Sequence, residues 1–437
     1  MFKLLIIVVI YTYIMLILIL INLYFSIHIN INIIYIYIYL NINYINMWFI
    51  FFMACILFIL VFMLSKKIIS FYKFKFIILI YAVIYICTTL IIVLDDFICF
   101  IICFESLFFP ICFVSLLFNF NNRFIFAIYY LIIFSSTSSI LAIIVTIIIL
   151  FHFNITTLTY FTEILFFDSL YLLIYIWILM VIIFGIKYPV WPLHTWLPEL
   201  HVEVNTEMSV MLASIVLKMG FFGIFKFVFL LFNNVSIWFI GMIDIIIITG
   251  LLIITLHINF LHDYKKIIAY WSIIHTGTGL ILLWHNDAIF ITVLYLCNLG
   301  HIISSGLMFI TIGYMYDNFG LRIFLILISF FGMSIWSIVY LSVFLFNIDF
   351  PFMLLFYIDL FVLYGLMSVS YIYLYIFAVI AFNVFISSLY IYVCLIYYSF
   401  IWLDKYFRID IVLNDIISIL LTFIFSLLLF HILYILT

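Results

Sequence analysis

Glu105, Lys187, Lys218, Lys265, Lys266, His275, His301 and Asp359 are ionisable side chains set inside long apolar runs of this sequence. An ionisable group at membrane depth costs roughly 2.5–3.5 kcal/mol on insertion scales, so each is a functional candidate. Their types suit the movement of protons through an apolar interior. Burial brings amines and carboxyls alike toward titration near neutral pH, and a neighbouring opposite charge pulls each back to its ionised form. Two unit charges about 6 Å apart interact by roughly 3 kcal/mol at an effective dielectric of 20, or about two pKa units. Making or breaking a lysine–carboxylate pair therefore loads or ejects a proton, and histidine, with an ordinary pKa near 6.5, suits the relay between pairs.

Taken singly, each group has a plainer role. Glu105 precedes Pro110 and could cap or kink a helix, Lys265 and Lys266 could snorkel to headgroups, and the histidines could be satisfied core residues. As a series of acids, lysines and histidines distributed over many apolar runs, they read as a proton path. Adjacent lysines lie about 100° apart on a helix, so only one of Lys265 and Lys266 is expected to face that path. Asp244 is a further acid within an apolar run, with no role in this reading.

The densest segment is Gly185–Lys226, where Lys187, Lys218, His194, His201, Glu199, Glu203 and Glu207 accompany Pro189, Pro192, Pro198 and glycine. Prolines beside charges predict an interrupted backbone. His194 and His201 do not match a zinc-binding H-E-x-x-H pattern, and Pro198 lies between them, so no metal site is expected. Cys99, Cys103 and Cys112 lack the spacing of a zinc or iron–sulfur site and are read as helix-packing residues.

These residues must be positioned by membrane-spanning helices. Of 437 residues, 71% are hydrophobic and only 7% charged, against about 25% charged in soluble domains. At about 20 apolar residues per span, the length accommodates roughly 13 or 14 helices and no sizeable extramembrane domain. The fold class is an all-α polytopic membrane protein. Spans are expected near Phe2–Ser26, Met47–Leu64, Phe76–Leu94, Phe97–Phe118, Phe124–Leu150, Ser169–Ile186, Met208–Phe232, Ile237–Leu256, Lys266–Trp284, Ala288–Tyr314, Arg322–Leu345, Phe352–Met367, Tyr371–Tyr398 and Ile411–Leu436. His28–Asn46 reads as a short span or an interfacial segment, and His152–Asp168 as a loop. A net charge of −3 without a basic patch excludes nucleic acid as a partner. Residues with AT-rich codons dominate, and the apolar span after Lys3 carries no Arg- and Ser-rich presequence, which together predict an organellar gene product.

Four motifs carry a resemblance. HTWLPELHVE, SVMLASIVLKMGFFGIFK, DYKKIIAYWSIIHTG and GHIISSGLMFITIGYMYD occur in that order, and together they resemble the antiporter-like proton-pumping subunits of respiratory complex I. Those subunits are also similar to subunits of multisubunit cation/proton antiporters, the alternative reading. The resemblance spans about Phe97–Asp359 and implies an antiporter-like fold with inverted repeats and broken helices. It divides the chain into N-terminal helices (1–96), a proton-translocating core (97–367) and C-terminal helices (368–437).

It further implies that Glu105 pairs with Lys218. Lys187 matches the lysine before the motif proline, Lys265 the lysine of the central axis, and His275 and His301 the relay histidines. Asp359, within NIDFPFMLLFYIDL, matches the terminal ionisable position, which is a carboxylate in some members and a lysine in others. By the same resemblance, no cofactor binds this chain, because flavin mononucleotide, iron–sulfur clusters and ubiquinone belong to other subunits. The implied partners are neighbouring membrane-arm subunits and lipids, in the mitochondrial inner membrane. The chain departs from the family at Val204-Asn205, where Ala-Pro is usual, at Lys226, which replaces an arginine, and at Glu207, an extra acid.

Overall fold

A computed structural model describes residues 44–66, 71–118, 122–153, 170–283, 288–319, 343–347, 354–369 and 371–401. The expected spans Phe2–Ser26 and Ile411–Leu436 lie outside these residues, as do nearly all of Arg322–Leu345, most of His28–Asn46 and the loop after Phe153. Among the described residues, ten helices are long and apolar enough to cross a membrane, and Leu355–Met367 is a shorter apolar helix. The protein is a helical, multi-span membrane protein.

Packing sorts the chain into two units, Met1–Tyr188 with Ile215–Ile237, and Pro189–Ser214 with Trp238–Thr437. The first unit contains α1 (Tyr44–Lys66), α2 (Phe71–Val93), α3 (Phe97–Ser106), α4 (Phe108–Phe118), α5 (Asn122–Phe153) and α6 (Leu170–Lys187). The expected single span Phe97–Phe118 is two helices. Pro110 has no N–H to offer the Ser106 carbonyl, so α3 stops at Ser106, Leu107 turns, and Ile111 N reaches Leu107 O only at 3.4 Å. At its other end, Asp96 caps α3 by accepting from the backbone N–H groups of Ile98 and Cys99, at 2.9 and 3.1 Å.

The motif segment breaks as its prolines predict. α7 (Trp196–Glu203) takes Pro198 in its first turn, where a missing N–H leaves no helical bond unmade. Pro198 therefore helps to start this helix and does not interrupt it. Val204 and Asn205 are extended, with ψ of 158° and 160°, and α8 (Thr206–Leu230) begins afresh. α8 passes through two π-helical stretches, Leu212–Val216 and Ile224–Leu230, with Leu217–Gly223 as α-helix between them. Such wide turns recur at functional sites. α8 is buried from Thr206 to Phe229, whereas α5 exposes Ile125, Phe126, Tyr129 and Ile133 on an apolar face suited to lipid.

In the second unit, α9 (Asn233–Ile258), α10 (Tyr264–Leu283), α11 (Ala288–Phe319), α12 (Leu354–Val369) and α13 (Tyr371–Ile401) follow. α10 packs against α7, α11 and α12, and the first turns of α8 pack on α11. Thr206 lies against Gly313 so closely that a Cβ there would sit 2.6 Å from the threonine side chain.

In the first unit, Gly220 lets α8 meet the end of α6, since a Cβ would come within 2.5 Å of the Tyr188 backbone nitrogen. Gly241, by contrast, faces open space. Gly220→Ala is expected to destabilise the protein by about 1–3 kcal/mol, and Gly241→Ala to stabilise it by about 1 kcal/mol or less. Thermal unfolding of the two variants in detergent checks the opposite signs.

Candidate functional site

In the first unit the main ion pair is Lys187–Glu105, at 3.1 Å. The break after Ser106 leaves the last carbonyls of α3 without helical partners, and Lys187 Nζ donates to one of them, Phe104 O, at 2.8 Å. The same ammonium lies 3.8 Å from the centre of the Phe104 ring. Glu105 is thus held by Lys187, where the family resemblance implies Lys218 as its partner. Lys187 reaches Glu105 because it ends α6, whose buried face carries Phe184 against Phe104. Lys218 is wholly buried in Leu217–Gly223, between the two π-helical stretches of α8.

A second buried cation has no counterpart among the expected site residues. Lys226 Nζ donates to Ile92 O at 2.7 Å, to Leu94 O at 2.8 Å and to Asp95 Oδ1 at 3.2 Å. Its three N–H donors match three acceptors at the C-terminal end of α2. In sequence Asp95 resembles an ordinary loop charge, and no local signal ties it to a lysine 131 residues away.

In the second unit, the helix break holds Lys265. Its Nζ donates to Val204 O at 3.1 Å and lies 5.2 Å from the Tyr316 ring centre. Asp263 caps α10 by accepting from the Lys265 and Lys266 backbone N–H groups. The adjacent lysines then part as helical geometry requires. Lys265 is 1% exposed, while Lys266 turns outward to a half-exposed ion pair with Glu199. Glu207 is buried just past the break, its Oε2 accepting from the Thr206 hydroxyl at 3.1 Å.

His275 lies ten residues beyond Lys265 on α10, about 15 Å along the axis. Its Nε2 is 3.0 Å from Asn347 O, and its ring centre is 6.1 Å from that of His301 on α11. A cavity of about 180 Å³ is lined by His275, Thr278, Asp359, Leu363 and Phe377. The second unit therefore brings Lys265, His275, His301 and Asp359 into one series on α10, α11 and α12. Glu105, Lys187 and Lys218 belong to the first unit. Asp244 on α9 is fully buried, both its oxygens lack a protein partner, and neither series uses it.

The two motif histidines sit apart. His194 meets the Tyr270 ring edge-on, with centres 6.0 Å apart, and His201 stacks on Phe309 at 4.6 Å and 15°. Burial pushes the His194 pKa down to about 4, with the His257 charge adding to it. Burial and then the charge of Lys265 push His201 down to about 3.

Residues 95–387 match the family described as NADH:quinone oxidoreductase/Mrp antiporter, TM. The chain belongs to this family. Among curated relatives, it is 32% identical over 235 residues to NADH-ubiquinone oxidoreductase chain 4 of Acanthamoeba castellanii, a match covering 52% of this chain and 46% of that protein. The chain thus spans less than half the length of that relative. Its fold is similar to a chain of respiratory complex I from Thermus thermophilus with bound NADH, with a TM-score of 0.77 at 16% identity over 89% of this chain and 81% of the other. A chain of the membrane-bound sulfane sulfur reductase, an archaeal respiratory membrane complex, gives the same TM-score and identity over 89% and 79%. At that identity the likeness is one of fold.

Two outcomes follow from this geometry. A double-mutant cycle on Glu105→Gln and Lys187→Met, read by thermal unfolding, is expected to give a coupling of about 1–3 kcal/mol; additive effects would contradict the pair. For the histidines, the unfolded chain binds protons below about pH 6.5, while the folded chain keeps His194 and His201 neutral to about 4 and about 3. Their contribution to stability is intact above pH 6.5 and is lost as pH falls toward 3. Melting temperatures between pH 7 and pH 4 are expected to drop less in His201→Asn than in the parent.

Proposed function

We propose that this chain is a proton-translocating membrane-arm subunit of a respiratory NADH:quinone oxidoreductase, equivalent to subunit 4. One observation carries the reading. Buried lysines are held against a carboxylate or an unwound carbonyl, and the second-unit series leads through paired histidines to a cavity shared with Asp359. Proton transfer needs groups that change charge on small rearrangements, with room for water between them.

In this mechanism, opening the Glu105–Lys187 pair raises the cost of each buried charge, so one proton moves on and the pair re-forms with the next. Lys218 on α8 answers that change. Lys265, His275 and His301 pass the proton along, and Asp359 exchanges it across its cavity. The redox chemistry, with its flavin, iron–sulfur clusters and quinone, is assigned to partner subunits, and the location to the mitochondrial inner membrane. A carboxylate at Asp359, where some members carry lysine, supports subunit 4 over subunits 2 and 5. The similarity of chain 4 from Acanthamoeba castellanii supports the same choice.

A second reading, a cation/proton antiporter subunit without redox coupling, is favoured by the matched family's own span, which includes Mrp antiporters. Co-migration of the chain with a flavin-containing, NADH-oxidising assembly separates the two. Within such an assembly, Lys218→Met is expected to abolish or sharply reduce protons pumped per electron. An unchanged ratio would remove Lys218 from the mechanism.

A further inference from the structure

We propose that Glu207 is the counter-ion of Lys265 across the α7–α8 break, a positioning residue that steadies the ammonium and draws in the next proton once one has left. The inference rests on the proton-translocation reading and adds to it a residue outside the series of Lys265, His275, His301 and Asp359.

Among the described residues, two carboxylates are fully buried, Asp244 on α9 and Glu207 in the first turn of α8. A buried carboxylate is costly unless hydrogen bonds and an opposite charge compensate it. The Thr206 hydroxyl supplies one hydrogen bond, at 3.1 Å from Glu207 Oε2. α11 locates the opposite charge. The Thr206 side chain lies against Gly313, and the Lys265 ammonium lies 5.2 Å from the Tyr316 ring centre. Gly313 and Tyr316 are three residues apart, roughly 4.5 Å along one helix face. Carboxylate and ammonium therefore lie at the same turn of α11. The backbone agrees, because Lys265 Nζ donates to Val204 O, three residues before Glu207. The other acids near the break are placed differently: Glu199 pairs outward with Lys266, and Glu203 is half-buried on the last turn of α7.

Two helix ends of opposite polarity meet here. α7 presents its last carbonyl, at the negative end of its dipole, to Lys265, and α8 carries Glu207 at its positive end. The break thus holds one charge of each sign and is neutral overall while Lys265 is protonated. When the Nζ–H bond of Lys265 breaks and the proton passes on toward His275, a neutral amine remains beside a bare carboxylate. A lone buried anion is costly, so the next proton re-forms the N–H bond, with no electrons exchanged.

Charge-removing variants in the assembled membrane complex test the pair. Glu207→Gln and Lys265→Met each strand one buried charge, so each is expected to lower the melting temperature, whereas the double variant melts higher than either single. Additive losses, which a carboxylate serving only the end of α8 would give, would overturn the pair. In sealed vesicles, Glu207→Gln is expected to pump at least about tenfold fewer protons per electron, while Glu207→Asp restores most of them. Parent-like pumping in Glu207→Gln, alongside loss in Lys218→Met, would overturn the role of Glu207 and leave the translocation reading standing. Parent-like pumping in both would overturn that reading and this role with it. Should Glu207→Gln fail to accumulate, the double variant decides: its accumulation supports the pair, and its absence overturns it.

Discussion

The structure depends on one constraint: an ammonium taken out of water must find oxygen atoms. Burying an ion costs several kcal/mol even after relaxation, and it is tolerated only where geometry and hydrogen bonds compensate. Three buried or half-buried lysines meet that demand in the same way. Lys226 sits on the last carbonyls of α2, Lys187 on a carbonyl of the last turn of α3, and Lys265 on Val204, which closes α7. Each is a helix C-terminus, where orphan carbonyls and the negative end of the helix dipole coincide. The chain creates those ends inside apolar packing by interrupting its helices.

The interruptions have local causes. Pro110 ends α3 beneath Lys187, and extended Val204 and Asn205 end α7 beneath Lys265. Glycine then permits the approaches that bring partners within reach, as Gly220 does between α8 and the end of α6. A carbonyl at a break is also easily released, since it belongs to no continuous ladder. Buried charge and movable backbone therefore coincide, as a carrier that binds and lets go requires.

Much of this is legible in the sequence. Ionisable residues in apolar runs mark the candidates, the prolines of Gly185–Lys226 foretell an interrupted backbone, and helical spacing separates buried Lys265 from outward Lys266. Pairings are not legible. Glu105 and Lys187 are 82 residues apart, and the family resemblance names Lys218 as the partner of Glu105 without naming Lys187, because motif order carries no distances. Asp95 has the look of a loop charge until the end of α2 places it beside Lys226. In sequence, His201 invites comparison only with metal ligands; its stack on Phe309 comes from packing of α7 near α11, which no local pattern encodes. Pro198 has the look of a breaker between the two histidines, yet in the first turn of α7 a proline has nothing to break.

The most direct test compares two adjacent residues that differ in burial far more than in chemistry. Protons pumped per electron are measured in vesicles carrying Lys265→Met or Lys266→Met. If buried, carbonyl-held lysines carry the protons, Lys265→Met loses pumping while Lys266→Met, which breaks only the outward pair with Glu199, retains it. Equal retention, or equal loss, in the two variants would contradict the assignment of transport to the buried series.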